Sequence, residues 1–128
     1  MTAAPEHWAI PYIGLPWDPV VHHCWGLCRK VWREQFGWMV PEVEIDGASP
    51  YAARKALAGG YNGWIRVETP VEGDAVLMAL GLHPCHVGIW IAPAPEASVL
   101  HSVEGAGTIF NTRSRLLYRI ENSYRWSN

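Results

Sequence analysis

Hydrophobic and polar positions change their spacing halfway along the chain. Residues 1–20 form a lead-in with several aromatic side chains, and its four prolines exclude a long regular helix. The next apolar residues recur at helical spacing and predict a helix over residues 24–36, ended by Gly37. Pro50 is well placed to begin a second helix over residues 51–58, before two glycines stop it.

The second half of the chain contains short apolar and β-branched runs that predict strands. Glycine and proline turns separate the runs, which cover residues 74–80, 86–92, 98–103, 108–110 and 116–120. Helices followed by strands predict an α+β fold, with N-terminal helices packed on an antiparallel sheet in meander order. No internal repeat or linker divides the chain, so all of it, 1–128, is expected to form a single domain.

Composition and charge exclude several classes of protein. Hydrophobic residues make up 49% of the 128 and charged residues 17%, as expected for one compact domain. The net charge is −2 and the ten Lys and Arg residues are scattered, which argues against nucleic acid or an anionic membrane as a partner. No apolar run approaches the ~20 residues of a membrane span, and the first residues lack the features of a secretion signal. Synthesis in the cytoplasm is therefore expected, and it suits the odd number of cysteines, three.

Cys24 is the first candidate for chemistry, because the predicted helix begins at or just after it. Leu27 and Val31 are expected on the inward side of that helix. The unpaired backbone N–H groups and the positive dipole of a helix start favour an anion such as a thiolate. A helix N-terminus with a nearby imidazole lowers a cysteine pKa from about 8.5 to roughly 3.5–7.5. Cys24 is therefore a candidate nucleophile at neutral pH.

Two histidines in neighbouring predicted strands supply a candidate base. His86 begins one strand, where it would take the proton of a thiol and return it to a leaving amine. His101 lies fifteen positions further, in the next strand, where its ring is able to hold the tautomer of His86. A nucleophile, a base and an orienting polar group form a catalytic triad. Each of these residues taken singly is more often structural, so the hypothesis depends on their combination.

Four ordered motifs resemble the NlpC/P60 cysteine peptidases, in particular the short members encoded in tail modules of phages and gene transfer agents. The resemblance covers about residues 10–125 and is carried by residues 24–28 (CWGLC), 72–78 (EGDAVLM), 86–90 (HVGIW) and 99–102 (VLHS). It implies a papain-like α+β fold that hydrolyses amide bonds in peptidoglycan stem peptides, with no cofactor.

The resemblance also implies a role for each matching residue. Cys24 becomes the nucleophile, His86 the general base and His101 the orienting residue. Tyr12 matches an upstream tyrosine that helps the backbone N–H of Cys24 to hold the oxyanion, and removing one such donor typically lowers a rate by ~10²–10³. A tail assembly would carry the protein from the bacterial cytoplasm to the cell wall, so tail-tip or hub proteins are expected partners.

Two positions depart from the family pattern. His23 stands where many members have Asp before the cysteine, and it would either weaken the helix cap or, when protonated, lower the pKa of the thiol further. Cys85 stands where Ser usually precedes the histidine, and it is open to oxidation against Cys24 if the geometry allows. The roles of Cys28, Cys85, His22 and His23 stay unassigned.

Eight tryptophans are many for a chain of this length. Four of them are candidates to line a substrate groove: Trp17, Trp25, Trp64 and Trp90. The alternative is that these large rings only fill a small core. Neither their spacing nor their neighbours in the chain select one of them.

Three other functions remain open for the same residues. A zinc site would draw on seven imidazoles and thiols: His22, His23, Cys24, Cys28, Cys85, His86 and His101. The spacing argues against it, because adjacent Cys85 and His86 would point to opposite faces of a strand. An acyltransferase would use the same Cys–His chemistry, but the chain shows no membrane-seeking segment.

The third alternative is a structural component of a tail tip, with a latent or lost peptidase activity. Docking would then use the aromatic residues at 7–17 and 124–126, because Trp, Tyr and Arg dominate interface hot spots. The same aromatics would instead cap the sheet if they belong to the core.

Overall fold

The computed structural model describes residues 7–19, 23–41, 57, 63–80, 83–91 and 97–127. In these ranges helix α1 (Cys24–Val31) precedes six strands: β1 (Trp64–Val67), β2 (Ala75–Leu80), β3 (His83–Ile91), β4 (Ser98–Val103), β5 (Gly107–Thr112) and β6 (Arg119–Trp126). The predicted second helix at 51–58 lies outside the described residues except for Leu57, which is helical and buried. Within the described ranges, no helix is long and apolar enough to cross a membrane.

Helix α1 begins at Cys24, as predicted. The chain continues beyond the α-helical part as a π-helical turn over Trp32–Phe36, so the predicted extent of the helix is confirmed. Gly37 ends this turn with φ at 69°, a left-handed conformation that glycine adopts without steric cost. Leu27 and Val31 are buried, which confirms the predicted inward side of the helix.

All six strands form one antiparallel sheet in the order β1-β6-β2-β3-β4-β5, and the α+β fold class is confirmed. Strands β2 to β5 follow one another as the predicted meander. The meander is wrong for β6, which returns to pair with β2 and extends well beyond the predicted run at 116–120. Its buried Tyr124 and Trp126 explain the return, because they join the apolar core beside β2.

The sequence prediction missed β1, which lies on the outer side of β6. This strand has only four residues, and its central Ile65 and Arg66 are exposed. Edge strands of this kind bury too little to show the alternation of apolar and polar residues on which the prediction depends. The opposite edge of the sheet is partly covered by the lead-in, where Gly14 N–H donates to the Thr108 carbonyl at 2.9 Å and Thr108 N–H donates to the Leu15 carbonyl at 2.8 Å.

Alternation along the strands gives the sheet two buried faces. The helix face packs against α1 and carries a cluster of eight buried strand residues: Ala75, Leu77, Val87, Ile89, Ile91, Leu100, Tyr124 and Trp126. The second face carries a smaller cluster: Val76, Met78, Trp90 and Val99. Leu116, Tyr118 and Ile120, at and before the start of β6, pack over this second face.

Four tryptophan rings form an aromatic cluster on the helix side of the sheet. Trp25 and Trp32 of α1 lie 5.6 Å apart between ring centroids, and Trp64 of β1 lies 6.2 and 5.0 Å from them. Trp126 of β6 completes the cluster at 5.2 Å from Trp64. The docking role considered for residues 124–126 is therefore wrong for Tyr124 and Trp126, which are 6% and 9% exposed and belong to the core.

Asp74 ties the start of β2 to β6. Its buried carboxylate accepts hydrogen bonds from Arg125 Nε at 3.0 Å and Nη2 at 2.9 Å, and from the Val71 N–H at 2.8 Å. Gly73 precedes it with φ at 98°, and a Cβ there would meet the Phe36 ring at 2.7 Å. The Gly73–Asp74 pair thus fixes the turn before β2 against both the π-helical turn and β6.

We expect Asp74→Asn to lower the free energy of unfolding by about 2 kcal/mol, because Arg125 loses its charged partner and the buried group accepts fewer hydrogen bonds. Urea unfolding followed by tryptophan fluorescence measures the change. Glu121→Gln is the matched control, since Glu121 pairs with exposed Arg119 and exposed pairs contribute about 0–1 kcal/mol. Equal losses in both variants would contradict the role given to Asp74.

Candidate functional site

Cys24 is held at the first position of α1 by a cap from the preceding residue. The backbone of His23 is extended, and its ring Nδ1 accepts a hydrogen bond from the Gly26 N–H at 3.0 Å. His23 therefore provides the cap that was expected to be weakened in the absence of Asp. Because Nδ1 acts as the acceptor, a proton on that nitrogen would break the cap.

Helix α1 packs against β3 and against the turn before β2. Cys28 Sγ donates to the Val87 carbonyl at 3.9 Å, and one turn later Trp32 Nε1 donates to the Gly73 carbonyl at 2.8 Å. Gly73 N–H in turn donates to the carbonyl of Trp90, at the far end of β3. Four helical residues span about 6 Å and two strand residues span about 6.6 Å. From these spacings we expect Cys24, four residues before Cys28, to lie on the side of Val87 where His86 is found.

Cys28 is the second thiol of α1, one turn after Cys24. It is fully buried, and burial, followed by the proximity of Cys24, raises its pKa well above the usual value. Cys28 thus remains a protonated thiol that packs in the core and donates to β3. Its role, left open by the sequence, is structural.

His86 and His101 form a direct hydrogen bond between their rings, with 2.7 Å from His86 Nε2 to His101 Nδ1. The register of β3 and β4 pairs Ile89 with Leu100, so the two histidines are diagonal neighbours on the second face of the sheet. The contact predicted from their strand positions is present. Both side chains are buried, at 6% and 1% exposed.

Asn111 of β5 extends this pair into a chain of three polar side chains. Its Oδ1 lies 2.8 Å from His101 Nε2, which donates to it. The ring of Tyr118 stacks on His86 with 4.4 Å between centroids and a 19° angle between planes, and meets His101 edge-on at 5.8 Å. The two imidazoles are thus enclosed by protein on the second face.

Burial controls the protonation of the two imidazoles. Burial, followed by the charge of His101, lowers the pKa of His86 to about 3. Burial also lowers the pKa of His101, and the hydrogen bond to Asn111 opposes that change. Both rings are therefore neutral at pH 7.

The pairing of β2 with β3 is irregular next to His86. Met78 pairs with His86 and Ala79 with Pro84, so Cys85 is an extra residue in β3. Such a bulge bends a strand and redirects the side chains beside it. Cys24 packs against the apolar cluster of the helix face, whereas the imidazoles of His86 and His101 lie on the second face.

The structure does not bring Tyr12 to Cys24. Its hydroxyl donates to Glu34 Oε1 at 2.7 Å and accepts from Gln35 Nε2 at 3.0 Å. Glu34 lies ten residues beyond Cys24, about 15 Å along a helix axis. The structure thus places the Tyr12 hydroxyl at the end of the helix and not at its start, and the oxyanion role predicted for Tyr12 gains no support from this arrangement.

The four tryptophans predicted to line a groove have different environments. Trp25 is 2% exposed within the aromatic cluster, and Trp90 is 7% exposed in the second-face core, where Arg113 lies 5.9 Å from the ring centroid. These two rings pack in the core, which agrees with the alternative that they fill it. Trp17 and Trp64 are half-buried and keep accessible surface.

The described residues contain no group of three His, Cys, Asp or Glu side chains that is arranged to hold a metal ion. Three ring nitrogens of His86 and His101 are already used in the hydrogen bonds to each other and to Asn111. Of the zinc ligands considered from the sequence, His22 lies outside the described residues, as does the side chain of Cys85.

Sequence reasoning missed Asn111 and Tyr118. A usable signal existed for Asn111, because β4 and β5 form a tight hairpin in which Asn111 pairs with Val99, two residues before His101 on the same face. Tyr118 had no such signal, since it lies between β5 and β6 and folds back over a strand more than thirty positions earlier.

Comparison with known proteins adds no relative to this picture: neither a protein-family model nor a curated protein sequence matches the chain.

The lowered pKa of His86 predicts that the protein loses stability in mild acid. The unfolded chain binds a proton at its ordinary pKa of about 6.5, whereas the folded protein resists that proton until about pH 3. Stability is therefore complete above pH 6.5 and declines as the pH falls, by up to about 1.4 kcal/mol per pH unit for each such histidine.

The measurement is the free energy of unfolding in urea between pH 7 and pH 5, a window above most carboxylate titrations. His86→Gln is expected to show a shallower slope than the wild type, because one titrating ring is removed. Parallel slopes for the two proteins would show that His86 binds its proton equally in both states.

Proposed function

We propose that this protein is a cysteine peptidase of the NlpC/P60 type, built on a papain-like fold, that cleaves amide bonds in peptidoglycan stem peptides. One observation carries the proposal: His86 and His101 form a buried, hydrogen-bonded pair, and His86 lies in β3, the strand that α1 contacts through Cys28. The resemblance of the four sequence motifs supports the same assignment and supplies the substrate class.

In the proposed reaction, Nδ1 of His86 accepts the Cys24 proton and the thiolate attacks the carbonyl carbon of the scissile amide. The backbone N–H of Cys24, at the positive end of α1, stabilises the oxyanion of the tetrahedral intermediate. His86 then protonates the leaving amine, and water hydrolyses the acyl-enzyme with His86 again as base. Tyr12 has no part in these steps.

The low pKa of His86 sets a condition on this mechanism. An imidazole whose pKa is about 3 is a weak base at pH 7, unless a negative charge compensates the proton that it accepts. A Cys24 thiolate next to the ring provides such a charge. Catalysis therefore requires Sγ of Cys24 and Nδ1 of His86 to meet at the bulged end of β3.

The proposed site of action is the bacterial cell wall, with delivery by a phage or gene-transfer-agent tail. The resemblance to short tail-module peptidases supports this assignment, and tail-tip or hub proteins are the proposed partners. A structural role in the tail tip is the second candidate. The burial of both histidine rings and the position of Cys24 on the helix face favour that candidate, because both limit access to the thiol–imidazole pair.

We expect the wild-type protein to release new amine ends from purified sacculi and Cys24→Ala to release none, because only the former has the nucleophile. Mass spectrometry of the soluble muropeptides identifies the bond that is cut. Lys30→Ala is the matched control: Lys30 lies in the same helix, makes only a solvent-exposed pair with Glu34 and has no proposed role in the site, so this variant should keep activity within about 3-fold of wild type.

Activity that survives in Cys24→Ala would exclude the mechanism. Release that requires a tail assembly, and is absent from the isolated chain, would favour the structural candidate. Circular dichroism of each variant separates loss of chemistry from loss of fold.

A second measurement tests the thiol–imidazole pair without any substrate. We expect iodoacetamide to alkylate Cys24 with an apparent pKa below about 7.5, and His86→Ala to move that pKa toward about 8.5, the value of a free thiol. Peptide mapping distinguishes Cys24 from buried Cys28. An unchanged profile in His86→Ala would show that the two side chains do not interact, and the peptidase proposal would fail.

A further inference from the structure

Asn111 ends the hydrogen-bonded chain that begins at His86. We infer that Asn111 is a positioning residue that fixes the tautomers of His101 and His86, so that Nδ1 of His86 is left unprotonated. Its catalytic meaning rests on the proposed function, whereas the tautomers themselves are a property of the folded protein and are measurable without substrate.

Each hydrogen bond in the series Asn111–His101–His86 needs one donor and one acceptor. The amide oxygen Oδ1 of Asn111 has no proton to give, so His101 Nε2 must donate across the 2.8 Å contact. A neutral imidazole carries one N–H, so His101 Nδ1 has a lone pair and accepts across the 2.7 Å contact. His86 Nε2 must then be the donor. The remaining nitrogen, His86 Nδ1, holds the lone pair that a base needs.

Burial makes the two histidines depend on these hydrogen bonds for the choice of tautomer. Water would satisfy either tautomer of an exposed histidine, but His86 and His101 are nearly inaccessible and depend on protein partners. A ring flip or a shift of the proton in His101 would leave a buried donor or acceptor unpaired, at a cost of about 1–3 kcal/mol. One defined acceptor, Oδ1 of Asn111, is therefore enough to fix the tautomers of both rings.

The orientation of the Asn111 amide decides which atom donates and which accepts in both hydrogen bonds. If its NH₂ group faced His101, every donor and acceptor would exchange roles and His86 Nδ1 would carry a proton. Such a ring is unable to accept the proton of a thiol until it loses its own. The observed orientation, with Oδ1 toward His101, is the one that leaves a base at His86.

The strand pairing explains how Asn111 reaches this position. Asn111 pairs with Val99 in β5, and His101 pairs with Ile109, so Asn111 and His101 are diagonal neighbours on the second face. Thr112, the next residue, points to the opposite side and its hydroxyl contacts Ser114. This neighbour offers a control substitution in the same strand.

The experiment is ¹⁵N-resolved NMR of the histidine side chains at pH 7, in which protonated and unprotonated ring nitrogens have well-separated chemical shifts. In the wild type we expect an N–H at Nε2 of both His86 and His101. Asn111→Leu removes the acceptor, so His86 should move toward the form protonated at Nδ1. Asn111→Asp keeps an oxygen acceptor and should retain the wild-type tautomers, as should the control Thr112→Val.

Turnover on sacculi gives the second readout. Asn111→Leu should lower kcat by roughly 10-fold or more with little change in KM, because the wrong tautomer removes the base but not the substrate site. Asn111→Asp should recover most of this loss.

Two outcomes would overturn the inference: a wild-type His86 protonated at Nδ1, or tautomers in Asn111→Leu identical to those of the wild type. In the latter case Asn111 would only support the fold. A protein that shows the expected tautomers but neither cleaves sacculi nor has a Cys24 thiol whose alkylation depends on His86 would refute the proposed function. The role of Asn111 in setting the tautomers would remain.

Discussion

The packing of α1 along β3 is the contact on which both the core and the candidate site depend. It buries the apolar side of the helix against Val87 and Ile89, and it adds two directed contacts, from Cys28 to Val87 and from Trp32 to Gly73. Apolar burial alone would let a helix slide along a sheet, because the hydrophobic effect has no direction. The two polar contacts set the axial position of the helix.

The position of the helix along β3 determines which residues of the sheet lie near Cys24, at the start of the helix. Cys28 contacts the carbonyl of Val87, the residue that follows His86 and lies two positions after the bulge at Cys85. A shift of one helical turn would move Cys24 about 5.4 Å relative to β3. The proposed approach of the Cys24 thiol to the His86 imidazole therefore depends on core packing, and substitutions in that core would alter it.

The second face of the sheet contains buried polar side chains that are held by hydrogen bonds. Three polar side chains, His86, His101 and Asn111, replace the apolar residues expected there, and Tyr118 covers them. In a buried environment an unpaired polar group is costly. The three side chains are therefore stable there only when hydrogen bonds connect them. The same burial that lowers the pKa of His86 also makes its protonation sensitive to a single amide two strands away.

The sequence by itself determined the local features of this protein. Helical spacing after Cys24 and Gly37 at its end predicted a helix over residues 24–36, and apolar runs predicted β2 to β5, because these signals arise from neighbours in the chain. The π-helical form of the last turn was seen only in the structure. The adjacency of His86 and His101 was also predictable, since consecutive antiparallel strands place such residues side by side.

Only the tertiary structure decided the remaining relations, because they join residues far apart in the chain. The return of β6 to the middle of the sheet, the burial of Trp25 and Trp90, and the packing of Tyr12 against Glu34 all depend on which surfaces meet. Local pattern specifies that a side chain is apolar or polar, but not which distant partner covers it. The candidate site residues were recognisable as chemical types, whereas the protonation of the two histidines and the burial of their side chains were set by the fold.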